Sequence, residues 1–418
     1  MRRRSLAAAA ATAPSLDEHG QALIAGLGVP LSAGNRVDLL QDGPLTYAAM
    51  FEAIEGARDH VHLESYILES QGPGEEFARR LIERAKAGVH VNVFYDSFGS
   101  IGTPGSYFDQ LRANGISVCE YNPLRRIGNL LSRALHLRDH RKLMVVDGRV
   151  AFIGGVNIST VYSAGSSPLT SVALGSGAAS AGGGAEPQRP GWRDTHVRVT
   201  GPVVAQLQQL FIEHWLKHSP LALRGADYFP RLAPVGTQFV ALAARDAGRR
   251  RNPFYRALLT AVGAARHRIL LTTAYLVPTR RLMRALTRAA RRGVEVQLLL
   301  PGTSDFWAPL QAGRSHYARL LRAGVRLHEL HDTLLHAKTC VIDGLWTTVG
   351  SSNLDWRSFL HNAEANLIVL DAPLAQEMER VFAADVARAR EVDRFEWARR
   401  GLRQRAVEML ARRFEFFL

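Results

Sequence analysis

Cysteine is nearly absent: Cys119 and Cys340 are the only two in 418 residues. Two thiols exclude a disulfide framework and a four-cysteine zinc site, and they say nothing about redox compartment. No apolar run approaches the roughly 20 residues that a membrane-spanning helix needs. Leu6 to Ala13 is apolar but short and Ala-rich. Behind Arg2, Arg3 and Arg4 it faintly resembles an export signal, and the plainer reading is a frayed N-terminal tail. No Gly-X-Y period or sustained heptad occurs, which excludes collagen-like and coiled-coil chains. Acidic residues are outnumbered: 38 Asp and Glu face 52 Lys and Arg, a formal charge of +14. That excess calls for a polyanionic partner, either nucleic acid or an anionic membrane surface, and composition does not choose between them. What is present is apolar mass. At 47% hydrophobic the chain can bury a large core, so wholesale disorder is excluded.

The chain repeats itself. His62 to Leu68 and then Arg84 to Asp96, with Gly88 between helix and strand, match Ile269 to Val277 and then Ala290 to Leu300, with Gly293 in the same place. Each copy reads as strand, helix ending at Gly, and second strand. Helices ending at Gly115 and Gly324 continue both copies. The expected fold is therefore α/β, built from two α/β units. The expected layout is a tail over 1–34, a first unit over 35–222, a second over 236–390 and a basic amphipathic segment over 391–418. Residues 163–190, dominated by Gly, Ser, Ala and Pro, read as a mobile surface loop inside the first unit.

One chemical pattern also occurs twice. His140-x-Lys142-x4-Asp147 is followed after six residues by Gly154-Gly155-x-Asn157. His336-x-Lys338-x4-Asp343 is followed at the same spacing by Gly350-Ser351-x-Asn353. Strand alternation puts each His and its Lys on one face. If the halves pack about a pseudo-two-fold axis, two imidazoles, two ammoniums and two amides converge on one site. Such a site suits a phosphodiester. Lys142, Lys338, Asn157 and Asn353 would stabilise the non-bridging oxygens. One His would attack phosphorus, and the other would protonate the leaving oxygen and then deprotonate the incoming alcohol. Asp147 and Asp343 complete the pattern as candidate catalytic residues, or simply close turns before Gly148 and Gly344.

Asp194 lies 54 residues after His140, and Glu364 lies 28 after His336. Excising the 28-residue loop brings the first spacing to 26, so the two carboxylates read as equivalent and as partners that orient the histidines. The pairs His60-x-His62, His136-x3-His140 and His328-x2-His331 have metal-ligand spacing. Lys142 and Lys338 would repel a divalent ion beside the motif histidines, and the other histidines read as solvated. No metal and no cofactor is expected.

These residues resemble the phospholipase D superfamily, whose hallmark is the doubled H-x-K-x4-D motif. The resemblance runs from about Asn35 to the C-terminus. Glu64-Ser-Tyr66-Ile, Tyr95-Asp96-Ser-Phe-Gly99-Ser100, Trp192-Arg-Asp194-Thr and Gly350-Ser-Ser-Asn353-Leu-Asp355-x-Arg357 make it closest to the bacterial cardiolipin synthase branch, of the type without N-terminal transmembrane helices. The insert at 163–190 departs from the compact family pattern. The resemblance implies two pseudo-symmetric phospholipase D-like α/β/α units with one shared active site. It implies transfer of a phosphatidyl group through a phosphohistidine to phosphatidylglycerol, with His140 as nucleophile and His336 as acid and base. A hydrolytic phospholipase D or a nuclease of the same superfamily is the alternative. An apolar face from Leu124 to Leu135, flanked by arginines, and a similar mix from Arg399 to Leu418 fit an anionic membrane surface. The expected partners are thus phosphatidylglycerol and a membrane, without nucleic acid, and the expected location is the cytoplasmic side of the cell membrane, peripherally bound.

Overall fold

A computed structural model describes residues 17–124, 137–166, 190–223, 227–249 and 251–415. In chain order, the first half carries α1 (Glu18–Ile24), β1 (Leu31–Gln41), α2 (Asp42–Glu55), β2 (His60–Ser65), α3 (Pro73–Lys86) and β3 (His90–Asp96). It continues with α4 (Gly105–Ala113), β4 (Ser117–Tyr121), β5 (Leu143–Val146), β6 (Val150–Gly154), β7 (Thr195–Thr200) and α5 (Val204–His218). The second half carries β8 (Gln238–Arg245), α6 (Pro253–Ala264), β9 (Arg268–Thr272), α7 (Arg280–Arg291), β10 (Glu295–Pro301), α8 (Trp307–Arg314) and α9 (Tyr317–Arg322). It continues with β11 (Arg326–Leu330), β12 (Thr339–Ile342), β13 (Trp346–Gly350), α10 (Trp356–Leu360), β14 (Glu364–Leu370) and α11 (Ala372–Arg388). Then come β15 (Arg390–Glu391), α12 (Arg394–Ala398) and α13 (Leu402–Arg413).

All fifteen strands form one sheet, ordered β15-β11-β10-β9-β12-β13-β14-β8-β1-β7-β6-β5-β2-β3-β4. Read outward from the β1–β8 seam, the two halves have the same order. β2, β3 and β4 are parallel, as are β9, β10 and β11. β9 and β10 carry apolar runs, Ile269–Leu271 and Leu298–Leu300, as strands covered on both faces do, whereas β2 and β11 alternate apolar residues with buried polar ones such as His60, His62 and His328. One core, under α5 and α11, crosses the seam and takes residues from both halves. The opposite face has a separate core in each half. The sheet is thus sandwiched between helix layers, as an α/β/α fold requires.

The repeat extends to backbone angles. Gly88 and Gly293 both have φ of 91°, where each crossover helix ends in the left-handed region that glycine adopts without strain. One expectation needs correction. Residues 17–34 are not a free tail, because Leu23 and Leu27 of the α1 region enter the core of the second half beside Ala257 and Leu258. β1 then starts at Leu31 and forms the seam, pairing antiparallel with β8 on one side and β7 on the other. Most of the amphipathic face read at Leu124–Leu135, and most of the 163–190 loop, lie outside the described residues. No helix among the described residues is long and apolar enough to cross a membrane.

Candidate active site

The two motif strands begin at the centre of the molecule, each against the other half. Asp139 bridges to Ala363 and Arg193 bridges to Leu335, both in parallel. His140 N–H donates to the Ala363 carbonyl at 3.0 Å, and His336 N–H donates to the Arg193 carbonyl at 2.7 Å. This crossing decides the carboxylate partners. Glu364 of the second half lies 3.2 Å from His140 Nδ1. Asp194 of the first half lies 2.6 Å from His336 Nδ1. Both carboxylates are buried and thereby pushed toward the neutral form. The neighbouring imidazoles, lysines and hydrogen-bond donors outweigh burial, so both carboxyl pKa values fall below the usual range.

Both imidazoles line one cleft of about 710 Å³. Tyr66, Phe98, Arg138, Asn157 and Trp192 come to it from the first half, and Tyr275, Phe306, Trp307, Asn353 and Arg357 from the second. With Nδ1 engaged on each ring, Nε2 is the nitrogen left for a ligand. Neither Nε2 has a hydrogen-bond partner among the described residues. Burial, and then the positive charge of Lys142, lowers the His140 pKa to about 4, so its imidazole is neutral at physiological pH. His336 is lowered for the same kind of reason, burial first and then Lys338.

Lys142 and Lys338 are buried beside the histidines and are not among the residues that line the cleft. Lys142 Nζ donates to the His140 carbonyl at 2.6 Å, and Lys338 Nζ lies 2.8 Å from His336 Nδ1. Burial lowers their pKa values to about 7 and about 8, against the pull of Glu364 and Asp194. Asn157 lines the cleft but is tied down locally: its Oδ1 accepts from Ile67 N–H at 3.1 Å and its Nδ2 donates to Tyr162 Oη at 3.3 Å. Asn353 Oδ1 is buried without a hydrogen-bond partner among the described residues.

Asp147 and Asp343 are not brought to the cleft. Lys142 precedes β5 and Asp147 follows it, five extended residues or about 16 Å away. Asp147 accepts from the N–H groups of Arg58, Asp59 and His60 at 2.8 to 2.9 Å. Asp343 accepts from those of Arg266, His267 and Arg268 at 2.7 to 2.9 Å, and pairs with His19 at 2.8 Å. Both have positive φ, 51° and 54°, in the turns before Gly148 and Gly344. They clamp the start of β2 and of β9, and the catalytic alternative is set aside for the turn-closing one.

His60, His62 and His328 are also not solvated. All three are buried. Gln208 bridges His60 and His62 at 3.3 and 2.9 Å, and His328 meets Gln297 at 2.9 Å. One set among the described residues, Glu64, Asp139 and His214, brings three ligand-type atoms within 4.8 Å of one another. Glu64 already accepts from His214 Nδ1 at 2.9 Å and faces Arg141 at 3.6 Å, so the set is a charged network with its own cation.

Several supporting residues escaped sequence reasoning. Arg193 donates to Asp385 at 2.9 Å and faces Asp42 at 3.6 Å. Asp42, which has a φ of 65°, accepts from the Asp194 N–H at 3.1 Å. Arg141 reaches Asp246 at 2.9 Å. Asp42 follows β1 as Asp246 follows β8, so each half-site is braced by an arginine on the aspartate that ends a seam strand. Tyr162 Oη lies 2.9 Å from His336 Nδ1. The sequence signal for Arg141 and Arg193 is that each adjoins a site residue, His140 or Asp194, and their burial in the structure gives it meaning. A larger, open depression of about 860 Å³ between α5 and α6 is lined by six arginines but by none of the candidate catalytic side chains.

Residues 50–164 and 258–386 match the family described as "Cardiolipin synthase, PLD-like domain", and each segment contains one copy of the motif. The chain belongs to the phospholipase D-like cardiolipin synthase family. It is 31% identical over 385 residues to a cardiolipin synthase of Geobacillus thermodenitrificans, covering 92% of this chain and 72% of that protein. It is 35% identical over 368 residues to cardiolipin synthase A of Pseudomonas syringae, covering 87% and 71%. The crystal structure of a phosphatidylserine synthase from Haemophilus influenzae superposes with a TM-score of 0.68 at 13% identity, covering 96% of this chain and all of that one. That last likeness concerns fold alone.

Proposed function

We propose that the protein is a phosphatidyltransferase that makes cardiolipin from phosphatidylglycerol. The observation that carries this reading is the pair of imidazoles, each held at Nδ1 by a carboxylate of the opposite half, with Nε2 left for a phosphodiester in one cleft. His140 Nε2 attacks phosphorus, and the P–O bond to the headgroup glycerol breaks. His336 gives that oxygen its proton, and glycerol leaves. A hydroxyl of a second phosphatidylglycerol then loses its proton to His336 and attacks the phosphohistidine, which restores His140 and yields cardiolipin. Asp194 supports the His336 imidazolium. An arriving phosphodiester anion raises the lowered pKa of His336, which makes it a competent acid. Lys142 and Lys338, in their ammonium forms, supply the positive charge that the phosphorane oxygens need.

Water is far more concentrated than any lipid alcohol, so transfer requires an oriented acceptor. Effective molarities of about 10⁵ M or more in well-placed systems make this feasible. The aromatic lining of Tyr66, Phe98, Phe306 and Trp307 supports a site that seats an acyl-bearing acceptor. Peripheral attachment at the cytoplasmic face of the membrane fits this substrate. Mass spectrometry of lipids after incubation with phosphatidylglycerol vesicles tests the reading: cardiolipin and glycerol are expected, both lost in His140→Ala and His336→Ala. Phosphatidic acid as the sole product, across lipid concentrations, would make the protein a hydrolase.

A further inference from the structure

An amphipathic helix of a soluble protein normally turns its apolar arc inward. In α13 the reverse holds. Its one carboxylate, Glu408, is buried and paired with Arg400 at 2.9 Å. Ala411 points inward too, against Val277, Ala312 and Trp356. At 100° per residue, Leu402, Ala406, Met409 and Leu410 share the opposite arc. Leu402 is 81% exposed, and Met409 and Leu410 are each 63% exposed. Arg403 borders this arc and Arg413 closes it at the C-terminal end of the helix, each without an acidic partner among the described residues.

The helix is seated beside the candidate active site. It packs on α8, whose first residue is Trp307, and against Trp356, which lies between the cleft residues Asp355 and Arg357. The cleft mouth is itself apolar and exposed. Phe98 and Ile101 follow β3, and Phe306 and Trp307 follow β10, so the two halves place bulky apolar groups after equivalent strands, at 45, 71, 59 and 62% exposure. Apolar groups this large, contiguous with a site and ringed by arginines, mark a docking surface.

We propose that α13 and this aromatic rim form the face by which the protein lies on an anionic lipid bilayer, with α13 in the plane of the interface and the cleft opening toward the lipid. The occupant follows from the chemistry: apolar side chains reach the acyl boundary while Arg403 and Arg413 meet lipid phosphates. The proposal rests on the lipid-substrate reading above, and it assigns that reading a surface.

Co-sedimentation with vesicles of phosphatidylglycerol and phosphatidylcholine tests it without reference to turnover. The wild-type chain is expected to bind, and to bind less as salt rises. Met409→Glu with Leu410→Glu is expected to weaken partition about tenfold or more, with Tm unchanged because both sites are exposed. Arg403→Glu with Arg413→Glu is expected to weaken binding to phosphatidylglycerol vesicles and flatten the salt dependence. Turnover of short-chain phosphatidylglycerol below its micelle concentration is expected to stay the same in both variants. Wild-type partition in the Met409/Leu410 variant overturns the proposal. So does a wild-type dimer, seen by light scattering, that this variant dissolves, since a second copy then covers the face. Failure of the wild type to make cardiolipin from the short-chain lipid, with vesicle binding intact, instead counts against the proposed reaction and leaves the docking face supported.

Discussion

His140 and His336 start from matching positions in a duplicated fold, yet their surroundings differ. The isolated bridges Leu68 to Ile158 and Leu276 to Leu354 fix the correspondence between the halves. By that register Tyr66 corresponds to Ala274 and Tyr162 to Ser358, and the bridges Asp139 to Ala363 and Arg193 to Leu335 match Trp192 with Asn362 in the same way. The His140 ring meets Tyr66 edge-on at 5.0 Å, whereas Tyr162 and Trp192 surround His336 at 6.0 and 5.5 Å. The carboxylates differ as well. Ser351 donates a short hydrogen bond to Glu364. Its counterpart is Gly155, where an added Cβ would lie 2.0 Å from Asp194 Oδ1. Glu364 therefore shares its hydrogen-bonding capacity with a hydroxyl, and His140 Nδ1 also has the Ser351 carbonyl at 3.1 Å. Asp194 sits closer to its imidazole. Duplication supplied two equal frames, and the divergence falls on the residues around the imidazoles rather than on the motif. That is where it has to fall if two identical side chains are to start the reaction in different protonation states.

The comparison breaks most directly at the histidines. His140→Ala and His336→Ala are each expected to lower kcat by about 10⁴-fold or more, with Tm preserved. Near-wild-type turnover from either variant means that the halves do not share one reaction. The carboxylates sharpen the contrast. Asp194→Asn is expected to cost about 10³-fold in kcat and Glu364→Gln about 10²-fold, because the Ser351 carbonyl still accepts from His140 Nδ1 in the second case. Equal losses would show that the unequal distances carry no functional weight.

The lysines give the contrast a pH axis. Their ammonium forms are lost as pH rises through about 7 for Lys142 and about 8 for Lys338. An alkaline fall in kcat/KM over that window is expected in the free enzyme. Arg stays protonated throughout, so Lys142→Arg is expected to move the limb upward, to where Lys338 alone sets it, whatever its cost in maximal rate. An unmoved limb would assign the titration elsewhere. Tyr162→Phe removes one hydroxyl from the His336 side alone and is expected to lower kcat about fivefold, the worth of a single neutral hydrogen bond. The smallest effect on rate belongs to Asp147→Ala. It strips three backbone N–H groups of their acceptor and is expected to cost about 2–4 kcal/mol of stability in denaturant titration, with kcat per folded molecule unchanged.

The repeat, the histidine and lysine positions and the equivalence of Asp194 with Glu364 were legible because each rests on local spacing. The pairing of those carboxylates was not. His140 and Glu364 are 224 residues apart, His336 and Asp194 are 142 apart, and no local pattern encodes which half reaches across. Asp147 and Asp343 misled in the opposite way. Their constant spacing is real, but it reports a turn with positive φ and a clamp on three amides, a demand of the backbone. Tyr66 and Tyr275 each follow a strand of the repeat and both line the cleft, yet the register puts them one residue out of step, with Ala274 at the position of Tyr66. The histidines at 60, 62 and 328 read as solvated because their neighbours in sequence are polar, whereas each is buried against a glutamine supplied from another element.

The crossed contacts at the seam also bear on how the molecule is made. A chain that has been synthesised only as far as α5 already contains His140, Lys142 and Asp194, yet it holds neither completed couple. His140 waits for Glu364, and Asp194 has no imidazole to hold. The first couple needs Glu364 at the start of β14, and the second needs His336 just before β12, so both depend on the second half of the chain. The seam is thus an interlock, and on the proposed reaction a nascent or clipped half is expected to be inactive.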